Sequence, residues 1–311
     1  MARSDAVSVT AELHRVGFTL GARRLASVQR QLAPLAFSLE DVLVARLPDM
    51  PDLAGADGLR VLSAPIAMIP QLQARFPGFM IGVRQDYARS YIDMTGSFDS
   101  YLARFSGKTR STLRRKRRKF EQAGEGELAL TAYRTPAEIE TFLDLAVPLS
   151  RRTYQARLLD AGLPEGPSAR AEACELAAGD RLRAYLLFLH GEPVAYLYLP
   201  VDGATLVYAY LGYDPQHASL SPGTVLQMAA LEALFAEEQF RFFDFTEGEG
   251  AHKALFGTHS ADCASFLLLR PTLANRALIA AQAGFDAAVA GGKALARRSG
   301  AESALRRMLG R

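Results

Sequence analysis

Cysteine is scarce in this chain of 311 residues: there are two, Cys174 and Cys263. One pair cannot build a disulfide framework, so a reducing, cytoplasmic setting is expected. Long hydrophobic runs are missing too. The nearest approach to a membrane span, Ala277 to Ala296, contains Gln282, Asp286 and Lys293 and is rich in alanine and glycine, which makes it a poor span. Met1-Ala-Arg-Ser-Asp-Ala lacks the apolar core of a secretion signal. No His-Glu-x-x-His occurs, and His252, His259 and Cys263 have no metal-site spacing, so no metal is expected. Gly107-Lys-Thr109 lacks the upstream glycine of a phosphate loop, that position being Leu102. Without a Gly-x-Ser-x-Gly elbow, serine hydrolysis is not indicated. The sequence shows no internal repeat.

What is present is an ordinary globular composition, 49% hydrophobic, long enough for two domains or one large one. Net charge is only +3 but unevenly spread. Eight of the twelve residues from Lys108 to Lys119 are basic and none is acidic, and from Gly291 to Arg311 six basic residues face one acid, Glu302. A solvated face is the usual meaning of such a run. Its density without acids points instead to a polyanion or an anionic membrane surface. No aromatics interleave it, so sequence-specific nucleic-acid reading is not expected.

Local patterns give an order of elements. A helix is expected over Ala22 to Leu35, and strands over Asp41 to Leu47, Arg60 to Ala64, Phe79 to Val83 and Tyr91 to Met94. Phe98 to Ala123 reads as one helix or two, ended by Gly124-Glu-Gly126. A strand over Leu128 to Tyr133 precedes a capping box, Thr135-Pro-Ala-Glu138, and after a loop at Gly162 to Pro167 a helix runs to about Ala178. Leu182 to His190, Val194 to Val201 and Thr205 to Tyr213 form an antiparallel meander broken at Gly191-Glu-Pro193 and Asp202-Gly203. Alternation puts Leu206, Tyr208 and Tyr210 on one face of the third strand. Ser221-Pro-Gly-Thr224 starts a helix with Ser221 as N-cap. Phe242 to Phe245 is a strand and Ala251 to Phe256 a short helix. A tail helix from Thr272 carries Leu278, Ala281, Phe285, Ala288 and Val289 on one face, with a break at Gly291-Gly292.

Three antiparallel strands, helix, strand, helix, strand, together with Ser221-Pro-Gly-Thr224, Phe243-Asp-Phe-x-x-Gly248 and His252-Lys-x-x-Phe-Gly257, resemble the GNAT (GCN5-related N-acetyltransferase) superfamily. Lys108-Thr-Arg-x-x-Leu-Arg-Arg-Lys-Arg-Arg118 resembles its bacterial two-lobed branch, FemAB-like and cellulose-biosynthesis-associated acetyltransferases. The likeness covers roughly Tyr91 to Arg270. It implies an α/β (α+β) fold, a mixed central sheet flanked by helices, in two GNAT-like lobes. The lobes are placed at 1–134, including a basic helix over 98–123, and at 135–271, the catalytic one, with a basic helical tail over 272–311. The tail's apolar stripe is expected to pack on the catalytic lobe.

The resemblance further implies an acyl-CoA donor and, as acceptor, a primary amine on a lipid such as a long-chain base or on an envelope-polysaccharide amino sugar. The setting would be the cytoplasm near the inner membrane. Two alternatives stay open: an aminoacyl-tRNA-dependent transferase and a non-catalytic polyanion-binding protein. Acyl transfer needs a phosphate cradle, and the helix start at Ser221, Gly223 and Thr224 can offer backbone N–H groups and the positive dipole end. Of the family's usual Gln/Arg-x-x-Gly-x-Gly/Ala loop, only the last glycine of Ala218-Ser-Leu-Ser-Pro-Gly223 remains. The attacking amine must lose a proton, for which Glu247 and His252 are candidates, at a strand end where α/β folds place ligands. Asp244, between two phenylalanines, is a semi-buried orienting group, and Lys253 suits an anionic part of donor or acceptor. Tyr208 borders the site, and Tyr210 could donate to the leaving thiolate. Arg152 and Tyr154, in Arg151-Arg-Thr-Tyr154, resemble the family's acceptor-side segment.

Overall fold

The computed structural model describes residues 11–20, 23–153, 162–248 and 250–298. The chain forms two compact units, one of Met1–Arg89, Glu247–Glu249 and Ser260–Arg311, the other of Ser90–Thr246 and Gly250–His259.

In the first unit, β1 (Glu12–Leu20) and β2 (Arg23–Ala36) form an antiparallel hairpin. β2 continues parallel to β3 (Gly58–Pro65). The helix expected over Ala22 to Leu35 is therefore a strand. Its arginines, leucines, alanines and glutamines are good helix formers, but the segment pairs along both edges, and Pro34 has no N–H for a helical interior. The opposite correction applies to Asp41 to Leu47, which is not a strand. Leu39–Val44 is helix α1, because Ser38 Oγ accepts the Asp41 N–H at 3.0 Å while Asp41 Oδ2 accepts the Ser38 N–H at 3.2 Å. A short helix α2 (Ile69–Ala74) follows. The two strands expected around Phe79–Val83 and Tyr91–Met94 are one strand, β4 (Met80–Asp93), whose exposed Arg84-Gln-Asp86 hides its continuity. Its residues Met80–Arg89 belong to the first unit and Ser90–Asp93 to the second.

The second unit follows the expected order closely. α3 (Phe98–Ala103) and the basic α4 (Gly107–Ala123) are two helices, then come β5 (Leu130–Tyr133) and α5 (Pro136–Arg152) with its capping box from Thr135. The second unit thus holds the basic helix 98–123, and residue 134 falls inside it. After α6 (Pro167–Ala178) come β6 (Leu182–Leu189), β7 (Glu192–Asp202), β8 (Thr205–Val207) and β9 (Tyr210–Tyr213). Then α7 (Pro222–Ala236), β10 (Phe242–Asp244) and α8 (Ala251–Phe256) complete the unit. β5, β6 and β7 pair antiparallel, and β10 lies parallel to β8 and antiparallel to Tyr91–Asp93. On one sheet face Tyr185, Leu197, Leu206 and Phe243 bury against Leu226, Leu231 and Phe235 of α7, and on the other Leu186, Tyr196 and Tyr198 bury against Phe142 and Leu149 of α5.

Gly212 is fixed by a close approach. A Cβ there would lie 2.4 Å from Tyr196 Cε1. That ring is 1% exposed, and its hydroxyl donates to Ser150 Oγ at 3.0 Å, so it has nowhere to go. Gly212→Ala is expected to destabilise the protein by about 2 kcal/mol, read as a lower urea midpoint at unchanged slope. A wild-type midpoint contradicts the packing described.

β11 (His259–Leu269) returns the chain to β3, antiparallel, and α9 (Leu273–Arg298) runs straight through Gly291-Gly292, which does not break it. Its apolar stripe serves the first unit. Leu278 buries with Val16, Leu32, Leu267 and Leu269, and the Phe285 ring meets Phe18 edge-on at 5.5 Å. The stripe belongs to the unit of β1 and β2 because their outer faces offer apolar surface for it.

Candidate active site

The sheet of the second unit opens beside α7. β8 and β10 pair for three residues, Thr205–Val207 with Phe242–Asp244, and one further bond runs from the Tyr208 N–H to the Asp244 carbonyl at 2.8 Å. There β10 ends, and β9 continues against β7 alone, from Tyr198↔Tyr210 to Ala195↔Tyr213. The Asp214 N–H donates to Val194 at 2.9 Å. Antiparallel alternation therefore turns the N–H groups of Leu211 and Tyr213 away from β7, toward the opening.

The interruption at Tyr208-Ala209 corrects the expected alternation. Tyr208 packs with the core around Phe243 and Leu206, whereas Tyr210 packs on the opposite face with Tyr198, ring centroids 6.0 Å apart. There Tyr210 lines a cavity of about 290 Å³ with Leu143, Leu163, Leu176, Tyr198 and Ala209. Burial, then the nearby Glu172 charge, pushes the Tyr210 hydroxyl up, so it stays protonated and can donate.

α7 begins against β9. A Cβ on Gly223 would come within 3.2 Å of Leu211 Cδ2 and of the Tyr213 ring, so glycine lets the helix start lie close to that strand. Ser221 stands at the N-cap in the left-handed region, φ +56°, and its side chain makes no capping bond, contrary to its expected role. A left-handed residue aims its hydroxyl away from the first-turn N–H groups. Instead the basic helix reaches over: Lys116 Nζ donates to Thr224 Oγ1 at 3.3 Å and Lys119 Nζ to the Ser219 carbonyl at 3.0 Å. Two ammonium groups beside the positive end of a helix repel it unless an anion sits between them.

At the other border, His252 on α8 contacts Gln227 of α7, Nε2 to Oε1, at 3.0 Å. With Gln227 accepting, Nε2 carries the proton and Nδ1 the lone pair. The ring lies 4.8 Å from Phe256 and 6.0 Å from Tyr208, centroid to centroid. Burial first, then the charges of Lys116 and Lys253, pull the imidazole down to about 4, so it is neutral at physiological pH. Gln227 is 0% exposed, and its Nε2 has no hydrogen-bond partner among the described residues. Asp244 is 1% exposed, and its Oδ1 accepts the Thr246 N–H at 2.8 Å, fastening the turn after β10.

The other expected residues are dispersed. Glu247 belongs to the first unit, where Ser265 Oγ donates to its Oε2 at 3.1 Å. Arg152 is paired with Asp214 at 3.3 Å, next to the segment that leads into α7. Tyr154 lies outside the described residues. Gln227, Lys116, Lys119 and Ser265 were not foreseen. Gln227 had a signal, a single polar residue inside the apolar run Val225 to Leu231. A larger cleft of about 880 Å³, lined by Thr95, Phe98, Phe235 and Arg241, contains none of the expected residues.

A sheet that parts beside an uncapped, lysine-flanked helix start defines the class of the GNAT acyltransferase fold. Residues 107–254 match the family model described as the acetyltransferase (GNAT) domain, and this stretch of the chain belongs to the GNAT superfamily. Similar solved structures include the C-terminal domain of a putative lysylphosphatidylglycerol synthetase from Agrobacterium fabrum, 14% identical, TM-score 0.50, over 74% of this chain and 73% of that one. L-PGS from Bacillus licheniformis is 15% identical, TM-score 0.46, over 74% and 73%. FemX is 13% identical, TM-score 0.49, over 84% and 89%. At such identity the first of these speaks for the fold. Among curated protein sequences none matches. Among the described residues no helix is long and apolar enough to cross a membrane, and no group of metal-ligating side chains comes together.

Proposed function

We propose that the protein transfers an acyl group from acyl-CoA to a primary amine carried by a lipid, such as a long-chain base, or by an envelope amino sugar. The observation that carries this reading is the outer edge of β9, which pairs with no strand among the described residues, lying beside the α7 start with Lys116 and Lys119 reaching to that start. An extended pantetheine arm can pair with such an edge, and its diphosphate can settle where the Gly223 N–H, the positive end of α7 and the two ammonium groups lie, the Thr224 and Val225 N–H groups being bonded to the Ser221 carbonyl. Thr224 and Gly223 border that place, and Lys253 adds charge near His252. Neutral His252 serves best by accepting a hydrogen bond from the attacking amine through Nδ1, since an imidazole this acidic holds a proton weakly. Asp244 keeps the following turn in place, and Tyr208 closes the wall behind the imidazole.

A second donor, aminoacyl-tRNA, is favoured by one observation: α4 also exposes Arg114, Arg115 and Arg118, a density suited to phosphates. Thiol release from acetyl- and longer acyl-CoA, with sphinganine and glucosamine as amine probes, separates the two. The acyl-CoA reading expects amine-dependent thiol release from at least one pair. Transfer from charged tRNA alone contradicts it.

A further inference from the structure

The cavity of about 290 Å³ beside Tyr210 lies wholly within the second unit, between α5, α6 and the sheet. It stands where the sheet parts. Ala209, one of its walls, falls in the two-residue break between β8 and β9. Tyr208, before Ala209, packs on the α7 face, and Tyr210, after it, packs on the α5 face. The α7 start, held against Leu211, and this cavity therefore approach the break from opposite faces of the sheet.

A void under a pair of helices is often a packing defect, and such a void is apolar on all sides. This one is not. Tyr198 is 8% exposed, yet its hydroxyl has no hydrogen-bond partner among the described residues and is not sealed in. Tyr196, two residues earlier on the same strand, donates to Ser150 Oγ at 3.0 Å, as a buried tyrosine ordinarily does. The Tyr210 hydroxyl also has no partner among the described residues, and Glu172 of α6, on the same wall, has no ion pair among them. The three groups are neighbours. After burial, the Glu172 charge is the next cause pushing the hydroxyls up, Tyr198 to about 12 and Tyr210 in the same direction. Two protonated phenols and a carboxylate thus border a space otherwise walled by Leu143, Leu163 and Leu176.

That combination sorts ligands by their chemistry. Carboxylate and phenol oxygens accept hydrogen bonds, and tyrosine rings attract cations, so one ammonium group satisfies all three residues. The leucine walls offer nothing to the hydroxyls of a sugar ring, each of which would lose about 1–3 kcal/mol on burial there. An alkyl body has no such cost and gains from leaving water. The volume is at the small end for ligand pockets, so it suits the amine end of a chain with the remainder outside.

We propose that this cavity binds the acceptor as an alkyl ammonium, with Glu172 and the Tyr198 and Tyr210 hydroxyls around the charge, and that it selects aliphatic amines over amino sugars. This rests on the acyl-transfer reading above and narrows its acceptor.

The test uses the full chain, with hexylamine, 1-hexanol and glucosamine as probes in NMR titrations. Wild type should bind hexylamine about 10-fold more tightly than 1-hexanol, and more tightly than glucosamine. Glu172→Gln, an exposed substitution that leaves the fold intact, should weaken hexylamine about fivefold without changing 1-hexanol. Tyr198→Phe should weaken hexylamine by a similar factor. In thiol-release assays with acetyl-CoA, Glu172→Gln should raise the KM for hexylamine about fivefold while kcat stays within about twofold. Equal affinity of wild type for hexylamine and 1-hexanol overturns the proposal, as does an unchanged preference in Glu172→Gln or tighter binding of glucosamine. Thiol release with glucosamine and no hexylamine binding removes this proposal and leaves acyl transfer standing. Glu172-dependent hexylamine binding, with no thiol release from any acyl-CoA and amine pair, removes the function reading and leaves the cavity as an ammonium site.

Discussion

His252→Ala is expected to lower turnover on the order of 10²-fold while acyl-CoA binding stays within about threefold of wild type. The imidazole packs on Tyr208 and bonds to Gln227, one turn into α7, so its loss should affect the amine more than the donor's phosphates. Equal loss of donor affinity and turnover would place His252 on the wrong part of the substrate. The same residue makes stability depend on pH. The folded protein holds the imidazole at about 4, below the ordinary 6.5, so between those values the unfolded chain binds the proton more readily. Its contribution is complete above the ordinary value and is lost as pH falls toward 4. The span corresponds to between about 3 and 4 kcal/mol at most, less whatever solvent reaching the imidazole screens. His252→Gln keeps a partner for Gln227 and does not titrate. Urea midpoints at pH 7 and pH 4.5 should therefore converge in that variant relative to wild type. An equal drop in both proteins would mean that the imidazole is already solvated.

Much of the second unit was legible in the sequence, because its signals are local. The turn residues at Gly191-Glu-Pro193 and Asp202-Gly203, the capping box at Thr135 and the apolar run after Ser221 each specify an element without help from distant chain. The first unit was less legible where distant pairing decides. β2 is helix-like in composition, and only its two neighbouring strands make it a strand, while α1 depends on a Ser38–Asp41 capping box inside a β-branched stretch. The site was legible as a cluster in sequence, Asp244 to Lys253, but not as a geometry. Whether Tyr208 and Tyr210 share a face turns on a two-residue interruption of the strand, and whether Ser221 caps its helix turns on one φ angle. Lys116 and Lys119 were visible as charge, yet their reach to the α7 start depends on how α4 packs.

The central claim is that the α7 start receives the diphosphate of an acyl-CoA, and Gly223→Glu addresses it most directly. Glycine there allows the helix to lie against Leu211 and Tyr213, and a glutamate would add both a Cβ at 3.2 Å and a negative charge beside the phosphates. Like charges a few ångströms apart near a protein surface repel by several kcal/mol before screening, so a loss of about 100-fold in affinity is a conservative expectation. Gly223→Ala, which adds the Cβ alone, should lose about 10-fold or less, and thermal melting of both variants separates misfolding from charge. The deciding measurement is calorimetric titration of acetyl-CoA into wild type and Gly223→Glu. The account predicts saturable binding by the wild type that Gly223→Glu abolishes and Gly223→Ala largely keeps, with both variants still melting cooperatively above the temperature of the titration. Equal affinity in the two proteins, or no binding by a folded wild type that instead binds charged tRNA, contradicts it.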